Sequence, residues 1–384
     1  MREIRKGTAL LVSFVLLLML LLTACNQTTT SDADGSAEDS YDQTEVTSDA
    51  PGAGAEKVAV LLAGVKDDYG YNYACYGLAQ ELEEKLGLEA VVKENVSDTS
   101  DAEGVIEELI NQGCKIVIST QFGFLDATMN VAERHPDVAF YYLGNSDQNH
   151  DNFSVSNGQQ WDPWYLCGML AAMNSSSGSL GFVASMPVPD VMIAINSFEL
   201  GAQSIDEAAE TNVVFTGAWD DSGLATTAAS QLIDSGCDVI AQFQDTPKPI
   251  VDLCQSEGVP VFGCNADAME LAPDVWISAM CADWDGLLTL IDETVKGNYE
   301  CVNQQGGFDV GRSAIARTGE LVTDEMLSQV EAVKEQMKNK TFNVFEGPIY
   351  DQEGVVRFEE GYVPTSAEIN VIDWFVQGVN GSVN

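Results

Sequence analysis

The sequence predicts an α/β protein made of two similar, Rossmann-like lobes with a ligand cleft between them. Three observations carry that prediction. Short apolar runs alternate with helical patterns of ten or so residues, a rare local motif occurs twice, and the 328 residues (384 − 56) beyond a polar N-terminal stretch are too many for one core. The repeated motif is Ile110-Asn111-Gln112-Gly113-Cys114-Lys115-Ile116-Val117-Ile118, answered by Ile233-Asp234-Ser235-Gly236-Cys237-Asp238-Val239-Ile240-Ala241. Each copy reads as a helix end closed by Gly and entering a buried strand. The two cysteines stand 123 residues apart (237 − 114). Residues 58–64 are answered by 181–185 at 121 (185 − 64), and 140–144 by 259–263 at 119 (263 − 144). Concordant offsets imply duplicated β/α units.

Taken in order, the chain opens as an export signal. Arg2, Arg5 and Lys6 supply a positive end, 9–22 is an almost unbroken apolar run, and Leu22-Thr23-Ala24-Cys25 follows. This resembles the lipobox of bacterial lipoproteins, which implies that residues 1–24 are removed and Cys25 is lipidated. The plainer alternative, a transmembrane anchor, needs an apolar stretch of about 20 residues. Residues 26–56 are polar and small, contain no basic residue and show no apolar periodicity. The stretch 25–56 therefore reads as a lipidated cysteine followed by a disordered acidic tether. Asp32-Ala33-Asp34-Gly35 lacks the later ligands of a calcium loop. The expected lobes are 57–156 with about 283–301, and 157–282 with about 302–384. Helices are expected over 102–112 and 127–134 in the first, and over 191–205 and 224–235 in the second.

Composition narrows the function. A net charge of −43 argues against nucleic acid or an anionic surface as partner, but not against a neutral small ligand. Of nine cysteines, the eight beyond Cys25 form no CxxC pair, and their positions follow core patterning, so mostly buried thiols are expected rather than disulfides. With only His135 and His150, a histidine-rich metal site or a Ser-His-Asp triad has little material. No metal, no cofactor and no catalytic residue is expected.

In an open α/β sheet, ligands bind beyond the carboxyl ends of the strands. The loop after the first strand holds Asp67, Asp68, Tyr69, Tyr71 and Asn72. Later strand ends offer Phe122 and Asp126, Trp219 with Asp220 and Asp221, Gln244 and Asp245, Asn265, and Trp284; Trp161 stands near the first crossover. Almost none offers a cation. Aromatic faces stack on flat ligands, while carboxylates and amides read ring N–H groups and nitrogens. The set therefore suits a planar heterocycle, neutral or weakly cationic, and not a phosphate. Each residue has a plainer use: the tryptophans as core, Phe124 as packing, and Asp68 and Asp221 as helix caps. Paired acids of a glycan-acting enzyme are the catalytic alternative, yet the acids fall on loops of both lobes and nothing resembles a nucleophile–base pair.

From Lys57 to the C-terminus the chain resembles the basic membrane protein (Bmp) family of substrate-binding lipoproteins, which includes a purine nucleoside receptor. The resembling segments are Asp67-Asp68-Tyr69-Gly70-Tyr71-Asn72, Gln121-Phe122-Gly123-Phe124-Leu125-Asp126-Ala127, Gly181-Phe182-Val183-Ala184-Ser185-Met186-Pro187, Gly217-Ala218-Trp219-Asp220-Asp221, and the tail from Phe345 to Gly354 with Asp373-Trp374-Phe375-Val376. The resemblance implies a type I periplasmic-binding fold with three crossovers, an ABC importer whose permease subunits are the partner, and a lipid-anchored monomer on the outer face of the cell membrane. It implies Tyr71 and Trp219 as the pair that sandwiches a base, with Asn72 and Asp126 as further contacts. Nucleoside-binding members carry Asp where Asn265 stands and Lys where Ala282 stands, so a ribose clamp is weakened here. Gln244-Asp245-Thr246-Pro247 and Asp283-Trp284 resemble a branch suited to free nucleobases. The expected ligand is a purine nucleobase or nucleoside, with a lean to a base such as adenine; riboflavin and a ligand-sensing role without a permease are the alternatives.

Overall fold

The computed structural model describes residues 49–97, 101–147 and 150–382. The export signal, Cys25 and the tether up to residue 48 lie outside them. Parallel strands buried on both faces need near-continuous apolar runs. Such runs form β1 (Lys57–Leu61), β2 (Glu89–Lys93), β3 (Ile116–Ser119), β4 (Ala139–Tyr142) and β5 (Phe153–Gly158), with α1 (Tyr71–Leu86), α2 (Asp101–Asn111) and α3 (Leu125–Ala132) between them. After α4 (Trp161–Asn174), the same alternation gives β6 (Ser179–Ala184), α5 (Pro189–Gln203), β7 (Glu210–Phe215), α6 (Ser222–Asp234), β8 (Val239–Phe243), α7 (Lys248–Glu257), β9 (Val261–Asn265) and β10 (Trp276–Ala282).

The two sheets share one topology. The five main strands of the first run β5-β4-β3-β1-β2 and those of the second β10-β9-β8-β6-β7. Strand for strand, β1 to β5 correspond to β6 to β10. All three offsets read from the sequence fall on equivalent strands. The Gly-Cys motif is also built identically twice. Gly113 (φ 95°) donates to Ile110 O and Cys114 to Leu109 O, while Gly236 (φ 101°) donates to Ile233 O and Cys237 to Leu232 O. This is a Schellman closure, which places a residue in left-handed backbone. Alanine at either glycine should cost about 1–2 kcal/mol in urea unfolding; unchanged stability in both variants would contradict the assignment.

The chain passes between the sheets three times. It leaves β5 for α4, and it returns after β10 into α8 (Asp285–Val295), whose Leu287 and Ile291 pack with β1 and α1. Then β11 (Asn303–Gly306) pairs in parallel with β5, and β12 (Ser313–Ile315) lies antiparallel to β10. The last crossing therefore falls after Gly306, later than the expected return near 302, because the polar run Asn303-Gln304-Gln305-Gly306 carries no strand-like alternation. The remainder covers the second sheet. Val330 and Met337 of α9 (Asp324–Lys338), the hairpin β13 (Ile349–Tyr350) and β14 (Val356–Phe358), α10 (Ser366–Ile369) and β15 (Val379–Asn380) close its core. These features make the type I periplasmic-binding fold.

One expectation is corrected at the tether. Within 50–55, Ala53 and Ala55 are buried, Gly52 N donates to Asp137 O, and Gly54 N donates to Val295 O. Small residues fit a tight packed turn without leaving an apolar period to read. The thiols of Cys75, Cys114, Cys167, Cys237, Cys254 and Cys264 are buried and free, as core patterning suggested. Among the described residues, no helix is long and apolar enough to cross a membrane.

Candidate functional site

The loop from β1 into α1 is held by a buried carboxylate. Asp68 accepts from the backbone N–H of Gly70 (2.8 Å), Asn72 (3.1 Å) and Tyr73 (2.9 Å), and from Asn72 Nδ2 (2.8 Å). It satisfies the open N–H groups of α1 and places a negative charge at the positive end of that helix. Asn72 Oδ1 in turn accepts from Gly64 N at 3.1 Å. Both ends of this amide serve the loop, so Asn72 acts first as a brace. Asp221 likewise caps α6 through Gly223 and Leu224 N–H.

The facing loop comes from the second sheet. Asp245 N donates to Trp219 O at 2.8 Å, and Asp245 O accepts from Tyr71 N at 3.4 Å. The backbone of one residue thus joins the two residues expected to stack on a ligand, one from each sheet. The contact is close enough that a methyl at Gly70 would overlap the Asp245 carbonyl and lie 2.7 Å from Pro247 Cδ. Tyr71 is half-buried, with its hydroxyl donating to Thr120 O. Burial drives its phenol well above the ordinary range. Trp219 keeps 37% of its surface exposed and sets its edge on Phe243, 6.4 Å away, which stacks on Trp164 at 6.1 Å.

Buried polar atoms without protein partners gather at the same edge. Strands β6 and β8 are neighbours, and the next residues, Ser185 and Gln244, leave Oγ and Oε1 unsatisfied. Such atoms are rare in native proteins, and ligands are one of their usual partners. Burial pushes the Asp245 carboxyl up to about 7, and nearby Asp68 and Asp220 add to the effect. An unfolded aspartate titrates near 3.9. Between about pH 4 and 7 the folded state holds a proton that the unfolded state releases, so folding stability falls as pH rises through this window. Asp162 and Glu199, also raised to about 7 by burial, act in the same direction. Denaturant unfolding at pH 5 and pH 8 should show a smaller loss in Asp245→Asn than in the parent; an equal loss would contradict the placement.

The other expected residues are spread more widely. Phe122 is 82% exposed in a short turn after β3, and Asp126 is exposed in the first turn of α3. Asn265 ends β9 in left-handed backbone, φ 65°. Trp161 is buried at the start of α4 and lines a separate cavity of about 290 Å³ with Gln159, Asp162, Asp309 and Phe342. Trp284 is buried, its ring covered by the Arg312 guanidinium 4.8 Å away.

Arg312 corrects the expectation that the strand ends offer almost no cation. It lies between β11 and β12, in a Gly-rich crossing that has no strand or helix period to mark it. Its Nη1 donates to Asp283 O at 2.6 Å, and its charge faces Tyr71 and Cys75.

Residues 55–352 match the family model for Bmp, ABC transporter substrate-binding protein PnrA-like. A purine-binding protein of Brucella abortus is 31% identical over 327 residues, covering 84% of this chain and 93% of that one. A Haloferax volcanii protein, named for an ABC transporter glucose-binding role, is 30% identical over 319 residues, covering 82% and 78%. An ABC transporter solute-binding protein from Conexibacter woesei superposes with a TM-score of 0.67 at 19% identity, over 75% of this chain and 98% of that one.

Proposed function

The chain belongs to the Bmp family of ABC transporter substrate-binding proteins, and from that premise we propose that it captures a purine nucleobase or nucleoside in the cleft and delivers it to a permease. The observation that carries this reading is the Asp245 backbone, which ties Tyr71 through its carbonyl to Trp219 through its N–H. An aromatic from each sheet then borders one place. Ser185 Oγ, Gln244 Oε1 and the Asp245 carboxyl stand ready for ring and exocyclic N–H groups. The purine-binding relative supports the same ligand class.

A free base is favoured over a nucleoside, because Asn265 and Ala282 provide no charged pair to grip a ribose. Two lobes, each one sheet with its helices, close on the ligand about the three crossings. Contacts from both favour the closed state. A lipid on Cys25 holds the protein at the extracytoplasmic face of the cell membrane. The glucose-binding name of the archaeal relative makes sugar the competing ligand.

Calorimetric titration of the purified protein against purine bases, nucleosides, riboflavin and glucose tests the reading. Purines should bind, bases more tightly than nucleosides, and a bound nucleoside should be recovered intact. Binding of glucose without any purine would overturn it.

A further inference from the structure

We propose that Arg312 reads the ligand, donating from its guanidinium to a carbonyl oxygen of the bound heterocycle, so that the cleft prefers oxopurines to purines lacking that oxygen. The inference rests on the purine reading above and deepens it.

Arg312 is only 3% exposed, and among the described residues nearby Asp283 is the one carboxylate whose charge favours its charged form, against a larger opposing effect of burial. Buried arginines are rare unless paired. Here Trp284 covers one face of the group and Asp283 O takes Nη1, while Nε has no acceptor. A guanidinium can only donate, and its donors are fixed in a plane. An unspent donor of this kind therefore asks for an acceptor from outside the protein.

Its position says which. The backbone is set by Gly311, in left-handed conformation at φ 64°, whose carbonyl accepts from Gly286 N at 2.9 Å. The side chain then lies where the carboxyl end of β10 meets α1, facing Tyr71 and Cys75. Tyr71 is also the first-sheet residue bonded to the Asp245 carbonyl, so the cation borders the cleft floor. An anionic ligand would satisfy Arg312 but would meet the acidic group formed by Asp245 with Asp68 and Asp220 near it. A neutral carbonyl satisfies both. An oxopurine presents O6 and N7 as adjacent acceptors to a planar guanidinium, whereas adenine presents an amino donor in place of the oxygen. The lean towards adenine read from the sequence is thereby reversed.

The test titrates the full protein with hypoxanthine, adenine and unsubstituted purine, and repeats this for Arg312→Lys and Arg312→Gln. The parent should bind hypoxanthine about ten- to a hundredfold more tightly than purine, as expected for a bond to a charged donor. In Arg312→Gln that ratio should collapse towards one, and Arg312→Lys should keep part of it. If the variants fail to fold, the parent's hypoxanthine-to-purine ratio decides alone. A parent ratio near one, or an unchanged ratio in Arg312→Gln, overturns this inference while leaving purine binding in place. No response to any purine overturns the functional reading and this inference together.

Discussion

Gly70→Ala should weaken purine binding by about five- to 150-fold, the scale of the roughly 1–3 kcal/mol that overpacking a close contact costs. The added methyl would overlap the Asp245 carbonyl and crowd Pro247, so the loops from the two sheets would be held apart. Apparent affinity falls with the population of the binding-competent state, and here that state is the one being blocked. Gly70 belongs to neither core, so the unliganded variant should melt within a few degrees of the parent. Gly77→Ala is the control, since a methyl at Gly77 meets nothing within 4 Å. Calorimetry separates the two variants, and parental affinity in Gly70→Ala would mean that the loops do not need to touch.

Trp219→Ala should cost about 1–3 kcal/mol of binding free energy, the usual worth of an aromatic stacked on a base. That corresponds to about a five- to 150-fold rise in Kd. The ring is 37% exposed and meets Phe243 edge-on, so its loss should leave folding largely intact. Trp219→Phe, which keeps a flat face, should retain most of the affinity. An alanine variant that binds like the parent would remove Trp219 from the site.

The fold was legible because its signals are local. A Gly-Cys pair at a helix end, followed by three buried residues, fixes one strand, and seeing it at 114 and again at 237 fixes the duplication. The strand ends, and with them Tyr71, Trp219 and Asp245, follow from the same reading. What escaped depends on contacts between distant parts of the chain. Asn72 has the chemistry of a ligand contact, and its amide also braces Asp68 and Gly64, which sequence spacing alone does not reveal. Trp284 follows a strand end as expected, but a cation more than twenty residues later covers its face. Arg312 itself sits in a crossing with no period, and its importance comes from a buried guanidinium whose Nε has no acceptor, a property of the packed molecule. The 50–55 turn is the reverse case, a polar, small-residue stretch that packs because it fits.

The most direct measurement is a crystal structure of the protein with hypoxanthine. The base should lie between Tyr71 and Trp219, its N–H groups towards Asp245, Gln244 and Ser185, and its oxygen towards Arg312. A base seated in the cavity beside Trp161, or one held in the cleft without contact to Tyr71, Trp219 or Asp245, would contradict this placement.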